Sequence, residues 1–397
     1  MISEIALELL QSIGRFFLHP LFYLGILLTL LIGIRRVKRE RADFHIKVYD
    51  FVEELVSSIK PSLIVGVVLS VFFVGIGIVL PPSILLLVAG AYVLLSFTFT
   101  VRLLSPAYVL ALTLIILFVF DGRTFTLPLL GEITFTSNHE TLFQLFLFFT
   151  LMLFAESALI RYFAHKNTSP RLFLSMRGKY VGGHEAKKLW TIPVFILVPD
   201  GIIPSFMSWP FFSTTTGETY SLMLVPVLIS FHHIVKYTLP KESMRQMSRR
   251  VFLFAFCMLL IAVGGYFYPV LLIIGAFIGL LVREGLTVLH KMTDDGKMSL
   301  FRLRKKGVIV LGILPHSPAE KIGIQIGEVI EKVNGVEVNH PHEFYKALQK
   351  KAASCQLDVI DRNGEKRIVQ TALYDGEHHE LGILLLKADY EYQDTIV

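Results

Sequence analysis

The sequence predicts a polytopic α-helical membrane domain of about nine spans, with the N-terminus outside and the C-terminus inside, followed by a small α+β domain. Hydrophobic residues make up 53% of the 397 residues, and the mean hydropathy is +0.61. This composition is too apolar for a soluble enzyme. Apolar runs of about twenty residues recur, as membrane-spanning helices require. The last quarter shows short strands and turn signals instead.

Each predicted span is an apolar run with few charges. The first covers residues 16–34, three follow within 61–120, the fifth covers 141–160, and 251–282 forms two, folded at Gly264-Gly265 and Pro269. Residues 220–239 form another. Residues 190–212 are broken by prolines, so they form either a kinked span or a re-entrant segment. Residues 2–13 have amphipathic helical spacing, which fits an interfacial helix or an extension of the first span.

Basic residues predict the orientation. Lys and Arg cluster in 35–47, 161–188, 236–250 and 283–306, and these segments share one side if the N-terminus is outside. The C-terminal domain is then cytoplasmic. The net charge of +6 comes largely from these loops, so we expect no nucleic-acid partner. With only Cys257 and Cys355 present, neither a disulfide framework nor a cysteine metal site is expected.

The C-terminal domain has a recognisable order of elements. A β-branched strand at 307–313 precedes Ser317-Pro318-Ala319-Glu320, which has the pattern of a capped helix start. A strand at 329–333 meets the turn Asn334-Gly335, and a helix at 343–353 and strands at 356–361, 366–372 and 381–386 follow. This order resembles a bacterial PDZ domain, which implies peptide binding. We divide the chain into a membrane domain (1–283), a linker (284–300), a PDZ domain (301–388) and a tail (389–397).

The PDZ resemblance predicts a peptide groove. PDZ domains bind an extended peptide by adding it to an exposed strand, and residues 308–313 are the expected receiving strand. Lys306 and Gly307 belong to the loop expected to hold a terminal carboxylate. The groove residues are Lys306, Gly307, Val308, Ile309, Val310, Phe344 and Leu348. About half of the apolar ones are equally explained by core packing, because strand side chains alternate between faces.

One segment of the sequence partly matches a zinc-binding motif. A PDZ domain beside many spans is similar to the site-2 metalloproteases, whose zinc motif needs two His one helical turn apart. In His184-Glu185-Ala186-Lys187-Lys188, Lys188 stands in place of the second ligand, and a protonated lysine does not bind zinc. We therefore expect no catalytic residue, metal or cofactor. A site-2-like protease, or an inactive relative of one, is the alternative.

Two acidic residues within predicted spans need an explanation. Asp200 is a candidate intramembrane polar site, although Pro199-Asp200-Gly201 also fits a turn in which Asp200 caps a half-helix. Glu156 lies about one helical turn from Arg161 and is expected to extend toward it.

The whole chain resembles the MinJ family of cell-division topological determinants of Gram-positive rods. The matching features are its length, the opening Phe16-Phe17-Leu18-His19-Pro20-Leu21-Phe22-Tyr23, the many spans and the single terminal PDZ domain. The resemblance implies a non-enzymatic scaffold in the bacterial cell membrane, at the septum and cell poles. Its implied partners are a DivIVA-like protein, a MinD-like ATPase and membrane lipid.

The C-terminal tail suggests self-association. The ending Thr395-Ile396-Val397 has the form of a PDZ ligand, although coincidence is the favoured explanation of such an ending. The tail is long enough to reach the groove of its own chain or of a neighbour. Our hypothesis is that it occupies residues 308–313 until a partner displaces it.

Overall fold

The helices follow the apolar runs of the sequence closely. The computed structural model describes residues 2–127, 131–175, 178–205, 209–212, 219–295, 297–350, 354–372 and 381–386. The helices in these ranges are α1 (Ile2–Leu18), α2 (Pro20–Phe44), α3 (Glu53–Ile76), α4 (Pro82–Ser96), α5 (Pro106–Val119), α6 (His139–Tyr162), α7 (Pro240–Phe267), α8 (Val270–Asp295), α9 (Pro318–Lys321) and α10 (Pro341–Gln349), with a 3-10 turn at Val101–Leu104.

The strands form three separate sheets. They are β1 (Thr124–Leu127), β2 (Gly131–Thr134), β3 (Ser169–Leu174), β4 (Tyr180–Pro204), β5 (Thr219–Val235), β6 (Val308–Ile313), β7 (Val329–Val333), β8 (Val336–Glu337), β9 (Ser354–Ile360), β10 (Lys366–Ala372) and β11 (Ile383–Leu385). The first sheet is the hairpin β1-β2, the second has the order β3-β4-β5, and the third has the order β10-β9-β7-β6-β11 with β8 paired to β7.

Several helices could cross a membrane. Within the described residues, five helices, α2, α3, α6, α7 and α8, are long and apolar enough, and α4 and α5 are shorter apolar helices. Residues 61–120 thus give three helices, and 251–282 gives two that separate near Pro269, as predicted. The predicted number of nine spans is not confirmed.

The spanning helices predicted within 190–212 and 220–239 are wrong for the described residues, whereas the re-entrant alternative for 190–212 stays a prediction. Residues 180–204 and 219–235 are the long antiparallel strands β4 and β5, which pair from His184 opposite Val235 to Pro199 opposite Tyr220. At roughly 3.3 Å per residue this pairing extends about 50 Å, longer than a hydrocarbon core of about 30 Å. Prolines disfavour a helix here, and β-branched residues favour a strand. Burial on both strand faces hides the alternation that normally reveals a strand.

Helices enclose this hairpin. Gly66 of α3 lies so close that a Cβ there would be 2.3 Å from the Pro193 carbonyl oxygen, and Gly25 of α2 approaches Thr191 equally closely. The Ser70 hydroxyl accepts the Phe195 N–H at 2.9 Å, and the Tyr92 hydroxyl donates to the Leu228 carbonyl at 2.6 Å. Strand backbone at membrane depth is tolerated only when protein shields it, and these helices supply that shield.

The C-terminal domain confirms the predicted local signals. Ser317 caps α9 by accepting the Glu320 N–H. Asn334 and Gly335 both have positive φ, and Val333 pairs with Val336 across them, as a two-residue hairpin turn requires.

The C-terminal domain packs directly on the rest of the chain. Ile309, Leu311 and Leu384 form one buried cluster with Phe44 at the end of α2 and Leu239 just before α7. Helix α8 reaches Asp295, so most of the predicted linker 284–300 is helical. The other predicted domain boundaries stay predictions.

Candidate functional site

The C-terminal sheet has an unpaired apolar edge at β11. Strand β6 pairs with β7 through Val308 and Ile309, and with β11 through Val310, Gly312 and Ile313. Within the described residues, β6 therefore has a paired strand on each side, β7 near its start and β11 along the rest, so it is a poor strand to receive a peptide. The other edge of β11 is unpaired within the described residues. The structure thus moves the candidate receiving strand from residues 308–313 to Ile383–Leu385.

The opposite end of the sheet is less suited to binding a strand. Strand β10 is also an edge, but its side chains alternate between half-buried and exposed, and it carries Lys366 and Arg367. Charged side chains on an edge strand oppose the addition of another strand. The three residues of β11 are apolar and buried, so β11 is the better candidate.

The predicted groove residues occupy three environments. Val308, Val310, Phe344 and Leu348 are buried together in the core of the C-terminal domain with Ile383 and Leu385. Ile309 points to the other side and packs against the membrane domain. Lys306 is exposed. The predicted strand and helix residues are therefore close together, but they form part of the domain core and do not line an open groove. Core packing was the other explanation given for these apolar residues.

The predicted carboxylate loop is partly occupied. Gly307 has φ +76°, and its N–H donates to the Asn339 Oδ1 at 3.1 Å, so it is not free for a ligand. A second positive-φ glycine, Gly382 at +81°, stands immediately before β11. Its carbonyl accepts the Leu314 N–H at 2.8 Å. Lys306-Gly307 was expected to form a carboxylate-holding loop just before the receiving strand β6. Leu381-Gly382 occupies the corresponding place just before β11.

A basic pocket lies at the far end of β11. Its lining includes Leu386 just after β11, Pro341 at the start of α10, and Arg302 and Arg304 in the segment before β6. Both arginines are exposed. Their charge favours an acidic segment in any peptide that extends past the end of β11.

The candidate polar residues in the predicted spans lie elsewhere than expected. Asp200 is exposed with φ +65°, at an irregularity of β4 between Pro199 and Ile203, so it caps no half-helix. Glu156 is fully buried and pairs with Arg283 of α8 rather than with Arg161, while the Ser105 hydroxyl donates to it at 2.9 Å.

The residues of the failed zinc motif lie on a strand and bind protein groups. Glu185 of β4 pairs with Arg39 of α2, with Arg171 of β3 at 3.3 Å and with His232 of β5 at 2.8 Å. Burial would raise the pKa of the Glu185 carboxyl, but the His232 hydrogen bond and the two arginines lower it to about 2. Lys188 pairs with the buried Glu54 at 2.9 Å. Within the described residues, no group of three or more His, Cys, Asp or Glu is placed to hold a metal ion.

His184 connects the hairpin to the C-terminal domain. Its Nε2 donates to the Leu311 carbonyl of β6 at 2.9 Å, and its Nδ1 accepts from the Thr168 hydroxyl at 3.1 Å. Burial lowers the pKa of this imidazole to about 4, so the neutral form is present at neutral pH. The side chain is therefore a structural link between the two parts of the chain.

Sequence reasoning missed the role of β11 and the buried ion pairs. A strand was predicted at 381–386, and the glycine before Ile383–Leu385 could have indicated that this strand begins at a tight loop. The i,i+4 spacing of Arg36 and Glu40 could have indicated the local pair that the structure shows at 3.7 Å. Their buried neighbours Glu54 and Lys188 come from distant parts of the sequence, and no local pattern joins them.

Comparison with known proteins gives related chains. A family model described as "PDZ domain" matches residues 309–360. The chain is 35% identical over 389 residues to "Cell division topological determinant MinJ" of Bacillus subtilis (strain 168), covering 97% of this chain and 96% of that protein. It is also 39% identical over 83 residues to "Probable cell division topological determinant MinJ" of Lacticaseibacillus paracasei, which covers 21% of this chain and 23% of that protein.

Proposed function

Because this chain belongs to the MinJ family of cell division topological determinants, we propose that it is a non-enzymatic membrane scaffold whose PDZ domain binds a partner peptide along β11. The observation that carries this proposal is the unpaired apolar edge of β11, on a domain held against the membrane helices. Main-chain hydrogen bonds to that edge would supply affinity, and neighbouring side chains would supply specificity. The basic pocket at Arg302 and Arg304 supports a partner with acidic residues in the peptide.

The cellular part of the proposal concerns position. The scaffold acts at the division septum and cell poles, where it joins a DivIVA-like protein to a MinD-like ATPase. Its apolar helices restrict it to the membrane plane, and the contacts of β6 and β11 with Phe44 of α2 and with Leu239 just before α7 hold the PDZ domain beside the membrane. A docked domain presents its strand edge in one orientation, which lowers the entropy lost when a partner binds. Self-association through residues 389–397, which lie outside the described residues, stays part of the proposal.

The β11 edge predicts where a partner protects the backbone. When a DivIVA-like or a MinD-like partner is added to the full-length protein in lipid nanodiscs, we expect slower hydrogen exchange of the backbone amides at residues 381–386. Residues 308–313 should change little, because β6 is already paired on both edges. Hydrogen exchange with mass spectrometry measures both segments. Protection elsewhere in the PDZ domain, with residues 381–386 unchanged, would contradict the proposed edge.

Two glycine variants, one at the loop before β11 and one control, test the same edge by the amount of partner that the protein captures. Gly382→Ala should reduce partner capture at least about tenfold, because its Cβ would lie 2.2 Å from the Ser317 Cβ and displace the loop before β11. Gly364→Ala carries the same positive-φ strain, at +86°, but its Cβ meets no atom within 4 Å. It should bind partners normally. Equal loss in both variants would indicate general destabilisation.

The basic loops predict the orientation of the PDZ domain. In a Cys257→Ser background, which removes the exposed native thiol, Thr136→Cys should react with an impermeant maleimide added to intact cells. Lys179→Cys, on the other side of α6, should react only after the cells are opened. Both positions are exposed in the fold, so burial does not confuse the result. The opposite labelling pattern would place the PDZ domain outside.

A further inference from the structure

A large cavity lies beside the base of the β4-β5 hairpin, away from β11. It has a volume of about 450 Å³ and lies between the 3-10 turn, the start of α5, the end of β5 and the last turns of α8. Its lining residues are Thr100, Arg102, Tyr108, Phe173, Phe231, His232, His233, Ile234, Lys236, Met247, Arg283, Thr287, His290 and Lys291. The volume is in the range of small-molecule sites.

The cavity lining is strongly basic. Its described residues include the cations Arg102, Lys236, Arg283 and Lys291 and three histidines. Three of the lining residues pair with carboxylates: Arg102 with Glu284 at 3.0 Å, Arg283 with Glu156, and His232 with Glu185 at 2.8 Å. Basic side chains around a cavity favour an anion within it.

One atom in the wall lacks an acceptor. The Arg283 side chain is only 6% exposed, and its Nη2 donates to Glu156. Its Nη1 is buried and has no hydrogen-bond partner within the described part of the chain. A buried charged donor without an acceptor is costly, so such groups normally have a partner. Because Arg283 lines the cavity, an anionic oxygen bound there would satisfy it.

The walls and position of the cavity indicate what carries that anion. Phe173, Phe231, Ile234 and Met247 give it apolar surface next to its cations. The cavity lies at the end of the apolar helix α8. The exposed aromatic residues Phe97 and Phe99 come just before Thr100, which lines the cavity. Aromatic and basic residues together are typical of the level of lipid headgroups.

We propose that this cavity binds the phosphodiester headgroup of an anionic phospholipid, in the leaflet on the PDZ side. The phosphate oxygens accept a hydrogen bond from Arg283 Nη1 and are attracted by the positive charges of Lys236 and Lys291, while the apolar wall contacts the first acyl carbons. Lipid bound there would connect α8 to β5 at Lys236, whose carbonyl accepts the N–H of Leu300 in the segment leading to the PDZ domain at 2.9 Å. The lipid composition of the membrane would thereby affect the support on which the PDZ domain sits.

The test uses full-length protein in a neutral detergent and native mass spectrometry. Phosphatidylglycerol should remain bound, whereas phosphatidylcholine, whose headgroup has no net charge, should not. Lys236→Gln with Lys291→Gln should weaken phosphatidylglycerol binding on the order of tenfold. Arg283→Lys keeps a cation for Glu156 but removes the second guanidinium nitrogen. It should also weaken binding, with little change in the unfolding temperature.

Matched controls distinguish the cavity from the rest of the basic surface. Lys241→Gln with Arg245→Gln removes the same charge from exposed positions on α7 outside the lining, and should leave phosphatidylglycerol binding unchanged. Equal weakening in both double variants would mean general attraction to an anionic surface and would overturn the proposal. Displacement of the lipid by millimolar inorganic phosphate would assign the site to a soluble anion instead. Binding that survives both Lys236→Gln/Lys291→Gln and Arg283→Lys would also refute it.

Discussion

Glu54→Gln is expected to lower the free energy of unfolding by about 3–5 kcal/mol. The Glu54 carboxylate is buried and receives Lys188 of β4 at 2.9 Å and a short contact from Arg36 of α2. The Lys188 and Arg36 side chains are themselves only 6% and 5% exposed. A neutral amide would leave two buried cations competing for the remaining carboxylates. Chemical denaturation of the detergent-solubilised protein, followed by tryptophan fluorescence, measures the loss.

Neighbouring variants show whether charge is the cause. Glu53→Gln changes the adjacent residue, which is half-buried and accepts only the Asn167 amide at 2.9 Å within the described residues, so it should cost about 1 kcal/mol or less. Adding Lys188→Met to Glu54→Gln removes one of the unpaired cations and should restore part of the stability. If Glu54→Gln is as stable as the natural protein, the ion pairs contribute nothing and the expectation is wrong.

Gly66→Ala should destabilise the protein by about 1–3 kcal/mol, although alanine is the better helix former. Its Cβ would lie 2.3 Å from the Pro193 carbonyl oxygen and 3.2 Å from the Pro193 ring, so α3 would have to move away from the hairpin. That movement would stretch the hydrogen bond between Ser70 and the Phe195 N–H, which is 2.9 Å long. Gly66→Leu should have a larger effect in the same assay.

Gly75→Ala provides the control in the same helix. No atom lies within 4 Å of a Cβ at Gly75, so only helix propensity changes there. The variant should be as stable as the natural protein, or more stable by up to about 1 kcal/mol. Similar destabilisation at positions 66 and 75 would show that α3 does not pack closely on β4.

The sequence alone determined the elements whose signals are local. Apolar runs of sufficient length identified the membrane helices, because crossing a hydrocarbon layer requires a minimum length of apolar side chains. In the C-terminal domain, the cap at Ser317 and the turn at Asn334-Gly335 depend on a few adjacent residues. Their conformations follow from side-chain hydrogen bonding and from the tolerance of Asn and Gly for positive φ.

Only the tertiary structure decided the conformations and pairings that depend on which other parts of the chain pack against a segment. Residues 190–199 are as apolar as a span, but the helices that pack against them allow them to be a strand, since neighbouring protein replaces lipid. The edge of β6 looked available until β11, more than seventy residues later, paired with it. Likewise, Glu54 and Lys188 are far apart in the chain, and their pairing arises where α3 meets β4. Hydropathy and spacing report what a segment can bury, whereas its partners depend on the packing of the whole chain.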